Sequence, residues 1–373
     1  MTVSAALDPP CGSYSVCAGC SALQFPRAAR LQRASERMRG LLKSLGYGEL
    51  ADGCEVSSIE VAHDRRARLV LRVRGEGESL LAGFPGRKQP LVQFAECPTS
   101  SPLAERVATA AIATLAELGT PGIEAVAIHV GQDEARALLT LVSPSARVAR
   151  AQDLARRLAD LGVTSVAANQ SEPGRRLFGR RNVPLAGAFP FVDSVAHRRF
   201  RLHATTPFWP SHGSGERVLS DAADLIGKGS TKALVLRAGN GLTAGLLAEL
   251  GYVVTALEDR PEIANEAEGT VRDLGHEVAF LGDGNRKALE SLSGSRTQLA
   301  LLESPRSGFD VELIAPLVRL VAPPRIVVVA SGQQALENDL RSLTEFGYRL
   351  DGFRAHLADP FLGEVCAVAR FVR

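Results

Sequence analysis

The sequence predicts an α/β protein, with a doubly wound parallel sheet in its C-terminal half and an α+β region before it. Three observations support this. Beyond residue 205, short continuous apolar runs (ALVLRA, YVVTALE, EVAFLGD, QLALLES, RIVVVAS) alternate with helical segments, as parallel strands buried on both faces do. Before residue 205, alternating β-branched strands such as ARLVLRVR are mixed with Ala-rich helices. Ahead of both stands CGSYSVCAGC, which holds three of the six cysteines. A length of 373 residues suits two domains. The expected division is a cysteine loop over 1–25 completed by Cys97, a central α+β domain over 26–205, and a doubly wound domain over 206–373.

Taken in order, residues 26–46 read as a helix opened by Pro and closed by Gly. Residues 67–74 alternate as a strand, GEGES turns the chain into LLAGF, and LVQFAECP brings Cys97 to a strand end. An Ala-rich helix over 101–118, paired strands AVAIHV and ARALLTLV, a helix over 147–162 and the strand VTSVAANQ complete the first part. In the second part GERVLSDAADLIG, GLTAGLLAEL and PEIANEAEGTVRDLG are the first helices between strands.

Residues 1–205 carry 26 Lys and Arg against 19 Asp and Glu, and residues 206–373 carry 17 against 22. The basic first part contains the clusters Arg65, Arg66 and Arg68, then Arg175, Arg176, Arg180 and Arg181, which fit a phosphate-binding footprint as well as a solvated face. No apolar run is long enough to span a bilayer. The start MTVSAALDPP lacks the basic and apolar regions of an export signal, so the expectation is a cytoplasmic, monomeric chain with reduced thiols.

Cys11, Cys17 and Cys20 have the spacing C-x5-C-x2-C, and Cys97 follows in FAECP. Four thiolates can close a tetrahedral zinc site or hold an iron–sulfur cluster, and spacing alone leaves both open. Burial as small hydrophobes suits Cys366, in EVCAVARFV, and Cys54. It suits the N-terminal three poorly, because they lie among Gly and Ser.

Ligands of doubly wound sheets bind at the carboxyl ends of the strands. The first such strand ends in RAGNGLTAG, where Gly239 and Gly241 permit close backbone approach. The next ends at Glu258, placed for ribose hydroxyls, and the third at Asp283, placed for an adenine edge. A fourth ends at Glu303 in ESPRSG. Ordinary turns and helix caps use the same residues, but in this order they favour a nucleotide-like ligand, S-adenosylmethionine at least as well as a dinucleotide.

These segments resemble one family, the bacterial RNA uracil-5 methyltransferases. CGSYSVCAGCSALQ is similar to its cluster loop, HDRRARLVLRVR to the basic strand that follows, and AECP to the fourth ligand. FWPSHG resembles the start of the methyltransferase domain and RAGNGLTAG its cofactor loop. ESPRSG resembles the Asp-Pro-Pro-Arg segment, VVASGQQALENDL the nucleophile segment, and ADPFLGEVCAVARF the segment of the catalytic base. The resemblance implies a C-terminal Rossmann-like methyltransferase domain and an RNA substrate, rRNA or tRNA. It also implies S-adenosylmethionine and a [4Fe-4S] cluster on Cys11, Cys17, Cys20 and Cys97. Family chemistry adds a Cys thiolate to carbon 6 of uracil, methylates carbon 5, and removes its proton with a carboxylate.

The departures concentrate at that chemistry. Ser331, in Ala330-Ser331-Gly332, stands where the family has the nucleophilic Cys of Ser-Cys-Asn. Trp209-Pro210-Ser211-His212 replaces Phe-Gln-x-Asn without its Gln, and Glu303-Ser304-Pro305-Arg306 replaces Asp-Pro-Pro-Arg. Glu364 keeps a position suited to the base, and Cys366 would share its strand face. Two readings stand: a divergent methyltransferase with uracil-5 chemistry impaired or another RNA atom as target, and a non-catalytic RNA-binding iron–sulfur protein.

Overall fold

The structure, a computed structural model, describes residues 8–60, 63–172, 177–282 and 285–373. Helix α1 (Arg27–Ser44) buries Arg30, Ala34, Met38, Leu41 and Leu42 on one stripe. The short α2 (Gly48–Asp52) and β1 (Val56–Ser57) follow.

Next come β2 (Arg68–Arg74), β3 (Leu81–Phe84), β4 (Val92–Gln93), α3 (Pro102–Leu118), β5 (Ala125–Val130), β6 (Ala137–Ser143), α4 (Ala151–Leu158), β7 (Val163–Gln170) and β8 (Asn182–Gly187). The strands form a seven-stranded sheet in the order β4-β3-β2-β5-β6-β7-β8, with β6 and β7 parallel. Leu103, Val107, Ala111 and Leu115 of α3 pack on Leu71, Ile128 and Leu139 of this sheet. The expected long helix over 147–162 is shorter, because Arg150 adopts left-handed backbone with φ 57° before α4. Cys97 lies in the loop between β4 and α3.

A hairpin of β9 (Phe191–Val195) and β10 (Arg198–Leu202) leads into the second half. There α5 (His212–Ile226), β11 (Lys232–Leu236), α6 (Leu242–Glu249), β12 (Val253–Leu257), α7 (Pro261–Asp273), β13 (Ala279–Leu281), α8 (Asn285–Ser291), β14 (Leu299–Ser304), α9 (Val311–Pro316), β15 (Arg325–Ser331) and α10 (Gln333–Glu345) alternate. The chain closes with the antiparallel pair β16 (Arg349–Asp359) and β17 (Glu364–Val372). The sheet order is β1-β16-β17-β15-β14-β11-β12-β13, parallel from β13 to β15. Strand order reverses between β11 and β14, which opens the ligand crevice of a doubly wound sheet at their carboxyl ends.

Helix α1 lies against this second sheet. Its Met38 and Leu42 share one apolar cluster with Leu302, Val328 and Phe353, and β1 pairs parallel to β16, Val56 opposite Ala355. Among the described residues, no helix is long and apolar enough to cross a membrane.

Candidate active site and cysteine site

A cavity of about 360 Å³ lies at the carboxyl ends of β11, β12, β14 and β15. Of the glycine loop, Arg237 and Asn240 line it, and the glycines flank Asn240. Gly239 and Gly241 have φ of 54° and 85°, and a Cβ on Gly241 would stand 2.6 Å from the Ala267 carbonyl oxygen. The Gly239 N–H donates to Glu258 Oε2 at 3.1 Å, and Arg260 Nε donates to Glu258 Oε1 at 3.1 Å. Burial raises the Glu258 carboxyl, with Arg260 opposing. Glu303 faces the same loop, takes a hydrogen bond from the Thr243 hydroxyl, and is pushed up to about 7 by burial. Arg68, Arg237, Arg260 and Arg306 complete a guanidinium-rich wall, with Phe208 and Trp209 opposite. Burial brings Arg68 down to about 10. Asp283 lies outside the described residues.

Ser331 ends β15 and lines this cavity. It pairs across the ladder with Cys366, and the Ser331 Oγ to Cys366 Sγ distance is 3.9 Å. Burial pushes the Cys366 thiol up to about 12, so it supplies no thiolate near neutral pH. Glu364 begins β17, exposed, two residues before Cys366; it is not among the residues lining the cavity.

Cys11, Cys17, Cys20 and Cys97 all line one small cavity of about 30 Å³. The Thr99 hydroxyl lies 3.3 Å from Cys97 Sγ and 3.7 Å from Cys20 Sγ. Ser100 Oγ donates to Cys97 Sγ at 3.3 Å, and the Gly19 N–H to Cys17 Sγ at 3.3 Å. Burial raises the Cys11, Cys17 and Cys20 thiols. Cys54 is buried in an apolar cluster, away from this group.

The basic residues divide by facing. Arg65, Arg180 and Arg181 are exposed. Arg66 is turned inward: its guanidinium forms a bidentate pair with buried Asp359, Nε to Oδ2 at 2.8 Å and Nη2 to Oδ1 at 3.3 Å. The phosphate contact expected of Arg66 is therefore corrected to an internal ion pair. Arg175 and Arg176 lie outside the described residues.

One cluster escaped the sequence reading. Asp193 Oδ2 accepts from His129 Nε2 at 2.7 Å and His212 Nε2 at 2.8 Å, and its Oδ1 accepts from the Gln132 and Ser194 amides at 2.8 and 2.7 Å. Burial alone would raise the Asp193 carboxyl, but the two imidazoles hold it well below the carboxylate range. This network ties β5 and β9 to the start of α5, beside Phe208.

The sheet order and the cavity at the strand ends define a Rossmann-like methyltransferase fold. No family model matches the chain. It is 24% identical over 377 residues to the 23S rRNA (uracil(1939)-C(5))-methyltransferase RlmD of Vibrio cholerae, covering 98% of this chain and 82% of that one. It is 21% identical over 362 residues to an uncharacterized RNA methyltransferase of Clostridium tetani, covering 92% of this chain and 78% of that one. The tRNA (uracil-54, C5)-methyltransferase of Pyrococcus abyssi, solved with S-adenosyl-L-homocysteine, shares the fold with a TM-score of 0.73 at 17% identity, over 95% of this chain and 86% of that one. Along nearly its whole length the chain is similar in sequence to RNA methyltransferases, a 23S rRNA uracil-5 enzyme among them, and it shares the fold of a tRNA uracil-5 methyltransferase.

Proposed function

We propose that the chain is an RNA-binding, S-adenosylmethionine-binding [4Fe-4S] protein of this family whose uracil-5 chemistry is impaired. Ser331 carries the reading. It lines the cavity where the family's thiolate would act, and the nearest thiol, Cys366, is buried with its proton held tightly. A serine hydroxyl without an adjacent base is a weak nucleophile.

The remaining residues fit the implied groups. Gly239 and Gly241 let the loop pack closely on Glu303 and Ala267 and so hold Asn240 at the cavity, Glu258 suits ribose hydroxyls and retains acceptor capacity, and Glu303 borders the same loop. S-adenosylmethionine would supply an activated methyl group there. Four cysteines converging on one cavity fit a four-thiolate group. Among the described residues, the group of three or more donor atoms within 4.8 Å of one another is His129, Asp193 and His212, so the thiols are spread wider than that. A four-thiolate set suits zinc as well as a cluster by its chemistry, and the family resemblance of the cysteine loop favours the cluster. Exposed Arg65, Arg180 and Arg181 suit RNA phosphates, and Arg68 reaches the cavity.

Glu303 favours a second reading, methyl transfer to a nitrogen or oxygen of RNA. A carboxyl near 7 can accept a proton at neutral pH, and such a transfer needs no thiolate.

Anaerobically prepared protein tests both ligand assignments. About four iron atoms per chain are expected, with saturable calorimetric binding of S-adenosylmethionine. Stoichiometric zinc would overturn the cluster. A folded, iron-loaded chain that gives no heat with S-adenosylmethionine would overturn the cofactor.

A further inference from the structure

The loop that carries Cys17 and Cys20 is wired to the turn between β16 and β17. Arg66 lies at the junction. Its Nη2 donates to the Gly19 carbonyl at 3.0 Å, its Nη1 to Thr99 Oγ1 at 3.5 Å, and its other contacts grip Asp359. Thr99 in turn touches the Cys20 and Cys97 sulfurs. On the far side, Asp359 Oδ1 accepts from the Phe361 and Leu362 amides at 3.0 and 3.1 Å and so holds the turn's shape. The two segments also meet directly: the Ala22 N–H donates to the Phe361 carbonyl at 2.9 Å, and Ser21 Oγ to the Leu362 carbonyl at 3.2 Å. The Arg66 guanidinium stands 5.7 Å from the Phe361 ring centroid.

The turn leads the chain to the end of β15, where Ser331 lines the cavity. Glu364 and Val365 follow the turn, the Val365 carbonyl accepts from the Gly332 amide at 3.0 Å, and Ser331 is the adjoining residue. One guanidinium thus spans from the thiol loop to the segment that borders the site. We propose that Arg66 and Asp359 form a clasp through which the state of the four-cysteine site sets the order of the β16–β17 turn, and with it the placement of Glu364 and Ser331. The inference rests on the cluster reading of Cys11, Cys17, Cys20 and Cys97.

The electrostatics give the coupling a direction. Four protonated thiols are neutral, whereas four thiolates around a [4Fe-4S] centre leave net negative charge beside Arg66. Loading adds an anionic neighbour to the guanidinium. A fork with several donors can serve that neighbour and Asp359 together. Loss of the cluster removes one anchor and frees the loop that holds Gly19.

Hydrogen exchange on the full chain reads this directly, with iron content measured on the same samples. Stripping iron should speed exchange at residues 359–366 on the order of tenfold, leaving α7 unchanged. In Arg66→Lys, which keeps charge but not the fork, turn exchange should be fast and the same with or without iron. A merely structural arginine would shift both states equally and preserve their difference. Arg87→Ala is the control, because Arg87 Nε donates to the Cys17 carbonyl at 2.9 Å without reaching the turn. It should loosen the loop and leave the turn's response intact. Iron-independent exchange at 359–366 in the unaltered chain overturns the proposal. Protein that takes up no iron refutes the cluster reading instead, and the clasp is then decided by Arg66→Lys, where unchanged turn exchange overturns it.

Discussion

Ionisable side chains buried in the native state govern the pH response of this molecule. Burial lowers His129 and His203 to about 4 and His356 to about 3, from an ordinary value of 6.5. Among the described residues, the one hydrogen-bond partner of the His356 ring is Ser214 Oγ, 3.0 Å from Nε2, while Asp221 Oδ2 stands 3.9 Å from Nδ1. Each depressed imidazole contributes stability above pH 6.5 that is lost as pH falls towards its folded value, because the unfolded chain takes the proton first. Glu303 works in the opposite sense. Its value is raised from 4.5 to about 7, so its contribution is complete below 4.5 and lost as pH rises through 7. Taken alone, the three imidazoles should lower the melting temperature between pH 6.5 and 5, while buried carboxyls raised like Glu303, Glu258 among them, work against that fall. Glu303→Gln should melt higher than the parent at pH 8 and lose stability more steeply in acid. Equal melting at pH 8 would contradict the strained, ionised Glu303.

At this scale the sequence was partly legible. Ser331 stood out because a neighbouring motif fixes its place. The run Arg65, Arg66, Arg68 looked uniformly basic, yet only Arg65 faces solvent: Arg66, just ahead of β2, and Arg68, its first residue, have a two-residue spacing and turn towards the interior and the cavity. That signal was present in the sequence. No comparable signal marked His129, Asp193 and His212, whose positions are 64 and 19 residues apart along the network. His129 read only as a strand residue in AVAIHV.

Elements of the C-terminal half were legible because parallel strands buried on both faces leave continuous apolar runs, as Leu299, Ala300, Leu301 and Leu302 do in β14. The destination of α1 was not. Its stripe of Ala34, Met38, Leu41 and Leu42 says that a face is buried, but not against which sheet. In the fold that face covers β14, β15 and β16. Met38→Ala should therefore cost about 2–5 kcal/mol of stability, as a fully buried Met in a packed core does. Exposed Gln32→Ala, on the same helix, should change it by no more than about 0.5 kcal/mol. Urea titrations of the two variants check this. A loss in Met38→Ala no larger than in Gln32→Ala would mean that α1 is not part of the C-terminal core.

Across the whole molecule, function depends on segments brought together from far apart. The cavity takes Arg68 from the first sheet, Trp209 from the connection into α5, Glu258 and Glu303 from successive strand ends, and Ser331 from β15. The glycine loop and four converging cysteines are in place, and in the proposed reading the nucleophile position holds the Ser331 hydroxyl. Binding and chemistry are therefore expected to separate. Incubation with RNA containing 5-fluorouridine and S-adenosylmethionine tests this most directly, because a thiolate of the family type would be trapped covalently on the base. The account predicts a complex in native gels that dissociates completely under denaturing conditions. A protein–RNA band that survives denaturation would contradict it, and would show that a nucleophile operates in the cavity despite Ser331.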